Sequence, residues 1–275
     1  MRLASAPDGD EHGGVRSVQR AVEIVSLLSE QRQVITIREI VEATGLPKTT
    51  VLRIVQTLEQ SRLLSASPSG YIAGPRLYRW AHLVRTSWEP LAETRAVMRE
   101  LVDRQRETVN IYVRNDLSRV CVAREESPMA LRHVVRVGDE LPLWAGASSK
   151  VLLRDAPVAL LERIAESSPA GAAHLSTLQQ WIGEAAGNGY GVSHGEREFG
   201  LSAVAVPIQH SDGEVVAALS YSGPTSRFPE ERVPELVKDL RRAGAKLDES
   251  GFDHPLYTPV SGRSGSHQRN RGRVR

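Results

Sequence analysis

The sequence predicts an α+β chain: an amino-terminal winged helix–turn–helix, a linker helix, and a larger body built on an antiparallel sheet. Three observations predict it. Two amphipathic helix patterns meet at a glycine corner within residues 36–62, and a short strand–turn–strand pattern follows at 63–74. From residue 109 onward, strand-like runs are grouped with helical patterns at their margins, which suits a sensor-like α+β domain better than a doubly wound sheet.

The elements follow in order. Val18, Ala21, Val22, Val25 and Leu28 recur on one face of a first helix. Thr36, with Glu39 three places on, is a capping box: the hydroxyl accepts a backbone N–H while the carboxylate reaches back, and Ile37, Ile40 and Val41 then share one face. Gly45 can take the positive φ that ends this helix, and Pro47, with no N–H to lose, suits the start of the next. In that second helix Val51, Val55 and Leu58 pack inward. Lys48, Thr49, Thr50, Arg53 and Gln56 are left on the outer face, with no acid before Glu59. Such side chains donate to phosphates and base edges, so Thr49, Thr50, Arg53 and Gln56 are candidate base contacts. Lys48, Arg16 and Arg20 are candidate backbone contacts, joined by Ser69 and Tyr71 of the hairpin, whose turn is Ser67-Pro68-Ser69-Gly70.

Beyond the wing, Leu77, Trp80, Ala81 and Val84 mark one face of a linker helix, and Pro90 opens another helix reaching Arg106. The linker stripe suits packing either on the body or on a partner linker. In the body, residues 109–114, 119–125 and 131–137 read as a strand meander, followed by helices at 148–155, 158–166 and 175–188. Strands at 202–209 and 215–221 flank the turn Ser211-Asp212-Gly213, and a helix closes the body from about Glu230 to Lys246. The expected divisions are 15–77 for the DNA-binding part, 78–90 for the linker and 91–258 for the body. Residues 1–14 and the basic tail 259–275 read as disordered.

Charge sharpens the partition. The chain carries only +2 overall, yet residues 15–85 hold 10 basic against 5 acidic residues and 86–258 hold 19 against 25. A basic front on an acidic body confines polyanion contact to one end. The single cysteine, Cys121, excludes an intramolecular disulfide and any multi-cysteine metal cluster; it reads as a small core residue in a strand. With no secretory apolar segment at the amino-terminus and no apolar run near the roughly 20 residues of a membrane span, a soluble cytoplasmic protein is expected. No cofactor or metal is called for.

Several strings carry a resemblance. SVQRAVEIVSLLS, TIREIVEATGLPKTTVLRIVQTLEQSRLL and GYIAGPRLY resemble the winged helix–turn–helix of IclR-type bacterial transcriptional regulators. GDELPLWAGASSKVLL, GYGVSHGEREFGLSAVAVPI and ALSYSGPTSRF resemble that family's later motifs, in the family's order, so that the similarity spans 15–247. The resemblance implies a GAF-like effector-binding domain, a homodimer or tetramer on a palindromic double-stranded operator, and a repressor more than an activator, controlled by a small organic acid or aromatic. It also implies a ligand pocket made by Ala147 and Ser148 of the small-residue loop, Ser193, Ala203, and Ser220 with Ser222. Hydroxyls near a helix start suit a carboxylate or another small polar group. Two departures stand out: Trp144 replaces a common histidine and Ser193 a common acid. The indole either narrows the cavity and stacks on an aromatic effector, or belongs to the core.

Two other classes compete. An enzyme with an accessory DNA-binding module would use Ser148-Ser149-Lys150 as a nucleophile pair, or His194 with Glu196; but G-x-S-x-G, HExxH and Walker patterns are missing, and His194 reads as a loop histidine. An architectural DNA-binding protein would not need the second domain.

Overall fold

The computed structural model describes residues 15–29 and 31–257. The chain divides into two compact units, Met1–Ser87 and Trp88–Arg275. The expected tails, 1–14 and 259–275, lie outside the described residues.

In the first unit α1 (Arg16–Val25), α2 (Ile37–Thr44) and α3 (Lys48–Gln60) precede a hairpin of β1 (Leu64–Ser67) and β2 (Gly70–Ala73), and α4 begins at Pro75 and runs to Trp88. The capping box forms as the spacing dictates: Glu39 N–H donates to Thr36 Oγ1 at 3.2 Å, and Thr36 N–H donates to Glu39 Oε2 at 2.8 Å. Gly45 ends α2 at φ 67°, a left-handed conformation that costs a residue with a Cβ but not glycine. Ile24, Ile40, Val51, Val55, Leu58 and Leu64 close one core. Ile35 forms a bridge with Tyr71 on the free edge of β2, so the wing is tied to the segment leading into α2.

The α1 face differs from the expected one. Ile24 is the side chain buried against α2 and α3, while Val18 and Val22 are each 59% exposed. Ala21, Val25 and Leu28 of the expected stripe pack partly buried against this core, and only Val18 and Val22 are turned out of it.

The second unit is a six-stranded antiparallel sheet ordered β5-β4-β3-β8-β7-β6. Its strands are β3 (Thr108–Asn115), β4 (Ser118–Glu125), β5 (Glu140–Pro142), β6 (Gly191–His194), β7 (Leu201–Gln209) and β8 (Val215–Pro224). Side-chain alternation gives the sheet two unlike faces. Val109, Ile111 and Val113 of β3, Val204, Val206 and Ile208 of β7, and Leu219 and Tyr221 of β8 meet α5 (Ala92–Gln105) and α9 (Val233–Glu249). The other face carries Ala203, Ala205 and Ala218 under α6 (Ala147–Leu152), α7 (Val158–Glu166) and α8 (Leu175–Asn188). Small side chains on that face leave room beneath α6.

One expected strand is absent. Residues 131–137 form no ladder; β5 pairs with β4 in its place. The backbone of the segment is taken up by side chains: Thr108 Oγ1 donates to the His133 carbonyl and Arg124 Nη1 to that of Val135. Val135 is buried, whereas Leu131, Val134 and Val137 point outward. Conversely, 191–194 is a strand, so His194 stands in β6 opposite Ser202 rather than in a loop. The helix expected at 148–155 starts one residue earlier and stops at Leu152. Cys121 lies in β4, fully buried, and burial pushes its thiol up to about 12, the state of an inert core residue.

A candidate DNA-reading face and a candidate ligand chamber

On α3, Val51, Val55 and Leu58 are buried and Lys48, Thr49, Arg53 and Gln56 are exposed, with Thr50 half-buried on the flank. Helical rotation of 100° per residue puts Thr49, Arg53, Gln56 and also Gln60 opposite the buried stripe. Among the described residues Lys48 and Arg53 form no ion pair, so their charges stay available to a polyanion. Arg20, Thr50, Arg53 and Gln56 line one groove of about 820 Å³ between α1, α3 and α4, which brings Arg20 of α1 beside the outer edge of α3. Arg16 is exposed at the start of α1. Ser69 is exposed at the wing tip, its Oγ 3.4 Å from that of Ser67. Tyr71 is half-buried and packs on the core, and its backbone N–H and C=O both bond Ile35, so less of it is open to a phosphate than of Ser69.

The floor of the same groove is apolar. Val18, Ala21, Val22 and Val25 face it from α1 and Leu77 and Trp80 from α4, with Trp80 48% exposed.

In the second unit Ser148, Ser193, Ala203, Ser220 and Ser222 line one partly open chamber of about 40 Å³. Register explains the grouping. Ser222 is paired with Ala203, Ala203 with Ser193, and Ser220 with Ala205, so β6, β7 and β8 present these small side chains to one side. Ala147 is buried at the start of α6 and packs in the core rather than on the chamber wall. Trp144 does not line the chamber either. It packs half-buried on the α7–α8 side, its ring 6.3 Å from that of His174, whose Nε2 is 2.8 Å from the Trp144 carbonyl.

Sequence reasoning did not place Arg119, His133, Arg197 and Tyr112 in the chamber, and it had weighed Glu196 only as a catalytic partner of His194. Arg119 rises from β4, fully enclosed, and burial holds its guanidinium down to about 10. His133 comes from the irregular 131–137 segment; burial first, then Arg197 and Arg119, bring it down to about 4, so its ring is neutral at pH 7. Its Nδ1 lies 3.0 Å from Ser222 Oγ and its Nε2 3.3 Å from Arg197 Nη2. Glu196 Oε1 accepts from Lys150 Nζ at 2.6 Å and Oε2 from the Gly146 N–H at 3.0 Å, which ties the loop after β6 to the start of α6. The alternation of β4 hints at Arg119, since Cys121 on the same side was expected inward; the rest depends on contacts between distant segments.

The catalytic pairs suggested by sequence are not assembled. Ser149 Oγ bonds the Ala145 carbonyl and Arg119, whereas Lys150 Nζ bonds Val192 O and Glu196 and lies 4.4 Å from the centre of the Trp181 ring. His194 Nδ1 bonds Ser202 Oγ, apart from Glu196. Three groups able to hold a metal, His210, Asp212 and Glu214, meet at the β7–β8 turn, where Glu214 already accepts the Tyr257 hydroxyl at 2.7 Å. Among the described residues no helix is long and apolar enough to cross a membrane.

Comparison with known proteins bears on the family of the chain. The family model for the carboxy-terminal domain of the bacterial transcriptional regulator IclR matches residues 85–249, and the IclR helix-turn-helix model matches residues 17–68. The HTH-type transcriptional regulator KdgR of Escherichia coli is 30% identical over 271 residues, covering 92% of this chain and all of KdgR. The HTH-type transcriptional repressor AllR of Klebsiella pneumoniae is 27% identical over 240 residues, 83% of this chain and 88% of its own. A crystal structure of an IclR-family chain from Rhodococcus sp. superposes with TM-score 0.60 at 38% identity, covering 93% of this chain and 100% of that one. An IclR homologue from Microbacterium hydrocarbonoxydans, solved with 4-hydroxybenzoate, matches at 24% identity and TM-score 0.66 over 85% of this chain and 98% of its own; that likeness shows the fold alone. With both family models matched in order along a winged helix–turn–helix and an antiparallel effector domain, the chain belongs to the IclR family of DNA-binding transcriptional regulators.

Proposed function

We propose that the protein is a ligand-responsive repressor that binds a palindromic operator as a homodimer or a dimer of dimers. The observation that carries this reading is the outer edge of α3, where Thr49, Arg53 and Gln56 stand exposed, without an acid among them, on a helix held by a capped partner. α3 enters the major groove; Thr49, Thr50, Arg53 and Gln56 meet base edges, while Lys48, Arg16, Arg20 and the wing at Ser69 and Tyr71 meet phosphates. The uncovered apolar floor formed by Val18, Val22, Leu77 and Trp80 supports pairing with a second copy, which would turn two heads into a two-fold reader. The sign of regulation follows the repressor AllR among the relatives. A small organic acid or aromatic binds in the chamber and shifts the balance between two placements of the heads, through its differential affinity for them. The chain works in the cytoplasm, where its operator is.

Selection from random-sequence duplexes tests the reading. An inverted repeat is expected, with half-site centres about one or more whole helical turns of roughly 10 base pairs apart. A single unrepeated site, or no enrichment, would count against a two-fold reader.

A further inference from the structure

The β7–β8 hairpin carries a second cluster of polar groups at its turn. The ladder runs from Ala203 paired with Ser222, beside the chamber, to Gln209 paired with Val215, so the turn stands at the far end of the hairpin from that chamber. His210, Asp212 and Glu214 are spaced two residues apart, a spacing that keeps side chains on one side of an extended chain. The turn then folds them together. His210 N–H donates to the Glu214 carbonyl and Gly213 N–H to the His210 carbonyl, each at 2.9 Å, with Gly213 at φ 86°. Asp212 Oδ1 accepts the Glu214 N–H at 3.0 Å, which fixes the acid against the backbone. As a result one ligand atom from each of the three side chains lies within 4.8 Å of the other two.

The surroundings support the cluster without neutralising it. Glu214 Oε1 accepts the Tyr257 hydroxyl at 2.7 Å, and the Tyr257 ring stands edge-on to His210 with centroids 6.5 Å apart. One tyrosine therefore braces two members of the set, in the manner of the outer partners that orient metal ligands. Among the described residues the ring nitrogens of His210 make no hydrogen bond, and neither acid forms an ion pair. The polar side chains that reach the turn take its backbone instead: Arg154 Nη2 and Gln209 Nε2 bond the Gly213 carbonyl at 2.8 and 2.9 Å, and the ion pair of Arg154 is with Asp155. Two carboxylates and a neutral imidazole carry the charge that a dication balances.

We propose that this turn binds a divalent transition-metal ion of the zinc class, held by a ring nitrogen of His210 and one carboxylate oxygen each of Asp212 and Glu214. Ligands bound at about 2.0–2.2 Å to one ion stand about 3–4 Å apart, so the set closes by a small side-chain rotation, for which Asp212 is exposed. The imidazole favours zinc over magnesium or calcium, which take oxygen donors in larger number. Water fills the remaining positions. Through Glu214 the ion also fastens Tyr257 to the hairpin.

The probe is Zn²⁺, titrated by calorimetry into the full chain, freed of metal by chelation and carrying no polyhistidine tag, with Co²⁺ absorption as the spectroscopic reading of the ligand set. Uptake of about one ion per chain is expected, with a rise in Tm, since an ion bound by the native state stabilises it. Asp212→Asn, Glu214→Gln and His210→Ala should each weaken Zn²⁺ by at least about tenfold, and Tyr257→Phe by about tenfold, as loss of an outer partner does. His210→Ala should also change the Co²⁺ spectrum, which a merely structural role would not do. No uptake, uptake unchanged by both Asp212→Asn and His210→Ala, or Mg²⁺ binding as tightly as Zn²⁺ would each overturn the proposal. Circular dichroism of the metal-free variants checks their folding; should any fail, Asp212→Asn, an isosteric change at an exposed position, decides.

Discussion

The candidate reading face and the candidate ligand chamber handle charge in opposite ways. Lys48 and Arg53 on α3 are exposed and unpaired among the described residues, so their charge is free for a partner that arrives from outside. In the second unit Arg119 is buried with Nε unsatisfied, Glu107 is 1% exposed between two arginines, and Lys150 is locked to Glu196. A surface that reads a polyanion can leave its cations in water, where they cost nothing while waiting. A chamber that recognises a small molecule must desolvate its polar groups beforehand, and the surrounding structure carries that cost.

The largest effect is expected where a buried charge is structural. Glu107 accepts from Arg227 Nε and Nη2, each at 2.7 Å, and from Arg232 Nη1 at 3.0 Å. Glu107→Gln leaves two guanidinium groups facing a neutral amide and should cost about 3–5 kcal/mol of unfolding free energy in urea. A loss below about 1 kcal/mol would mean that the second unit tolerates unpaired buried charge generally, and Arg119 would lose its distinction.

A smaller effect separates the units by pH. The native His133 titrates near 4, below the 6.5 of an exposed histidine, so between these values the unfolded chain binds the proton and the native one does not. Stability is therefore full above about pH 6.5 and falls as pH drops towards 4, by about 1–2 kcal/mol once partial exposure is allowed for. His254 is lowered as well, mainly by burial, and adds a slope of the same sign. His133→Gln should flatten the wild-type slope of Tm against pH in this window; an unchanged slope would place the acid sensitivity elsewhere.

The smallest effect lies in the head. Thr36→Ala removes the cap of α2 and should cost about 0.5–1 kcal/mol of stability in that unit. Calorimetry of the variant should move the head's transition and leave that of the second unit in place.

The same contrast governs what was legible in the sequence. The cap, the Gly45 corner and the α3 periodicity act over three to four residues, so the head could be read from one string, down to which side of α3 faces out. The wing fell within one residue of the expected positions, its turn set by Pro68 and Ser69. The chamber depends on strands distant in sequence. The five small residues reached it through strand alternation and family resemblance, but Arg119 meets 142, 145 and 149, and His133 meets 197 and 222. No local pattern encodes those meetings. Residues 131–137 have the composition of a strand but lose their ladder to side-chain donors from β3 and β4, and Trp144 turns towards His174, which no spacing in its own loop specifies.

Operator affinity measured side by side for two charge removals tests the division of labour most directly. Arg53→Ala takes a cation from the outer edge of α3, and Arg241→Ala takes one from the surface of the second unit, where it caps the Asn188 carbonyl at 2.6 Å. The account predicts a loss of about 1–3 kcal/mol, roughly 5- to 150-fold, for Arg53→Ala at a base pair it contacts, and less than about threefold for Arg241→Ala. Equal losses, or no loss for Arg53→Ala, would contradict it.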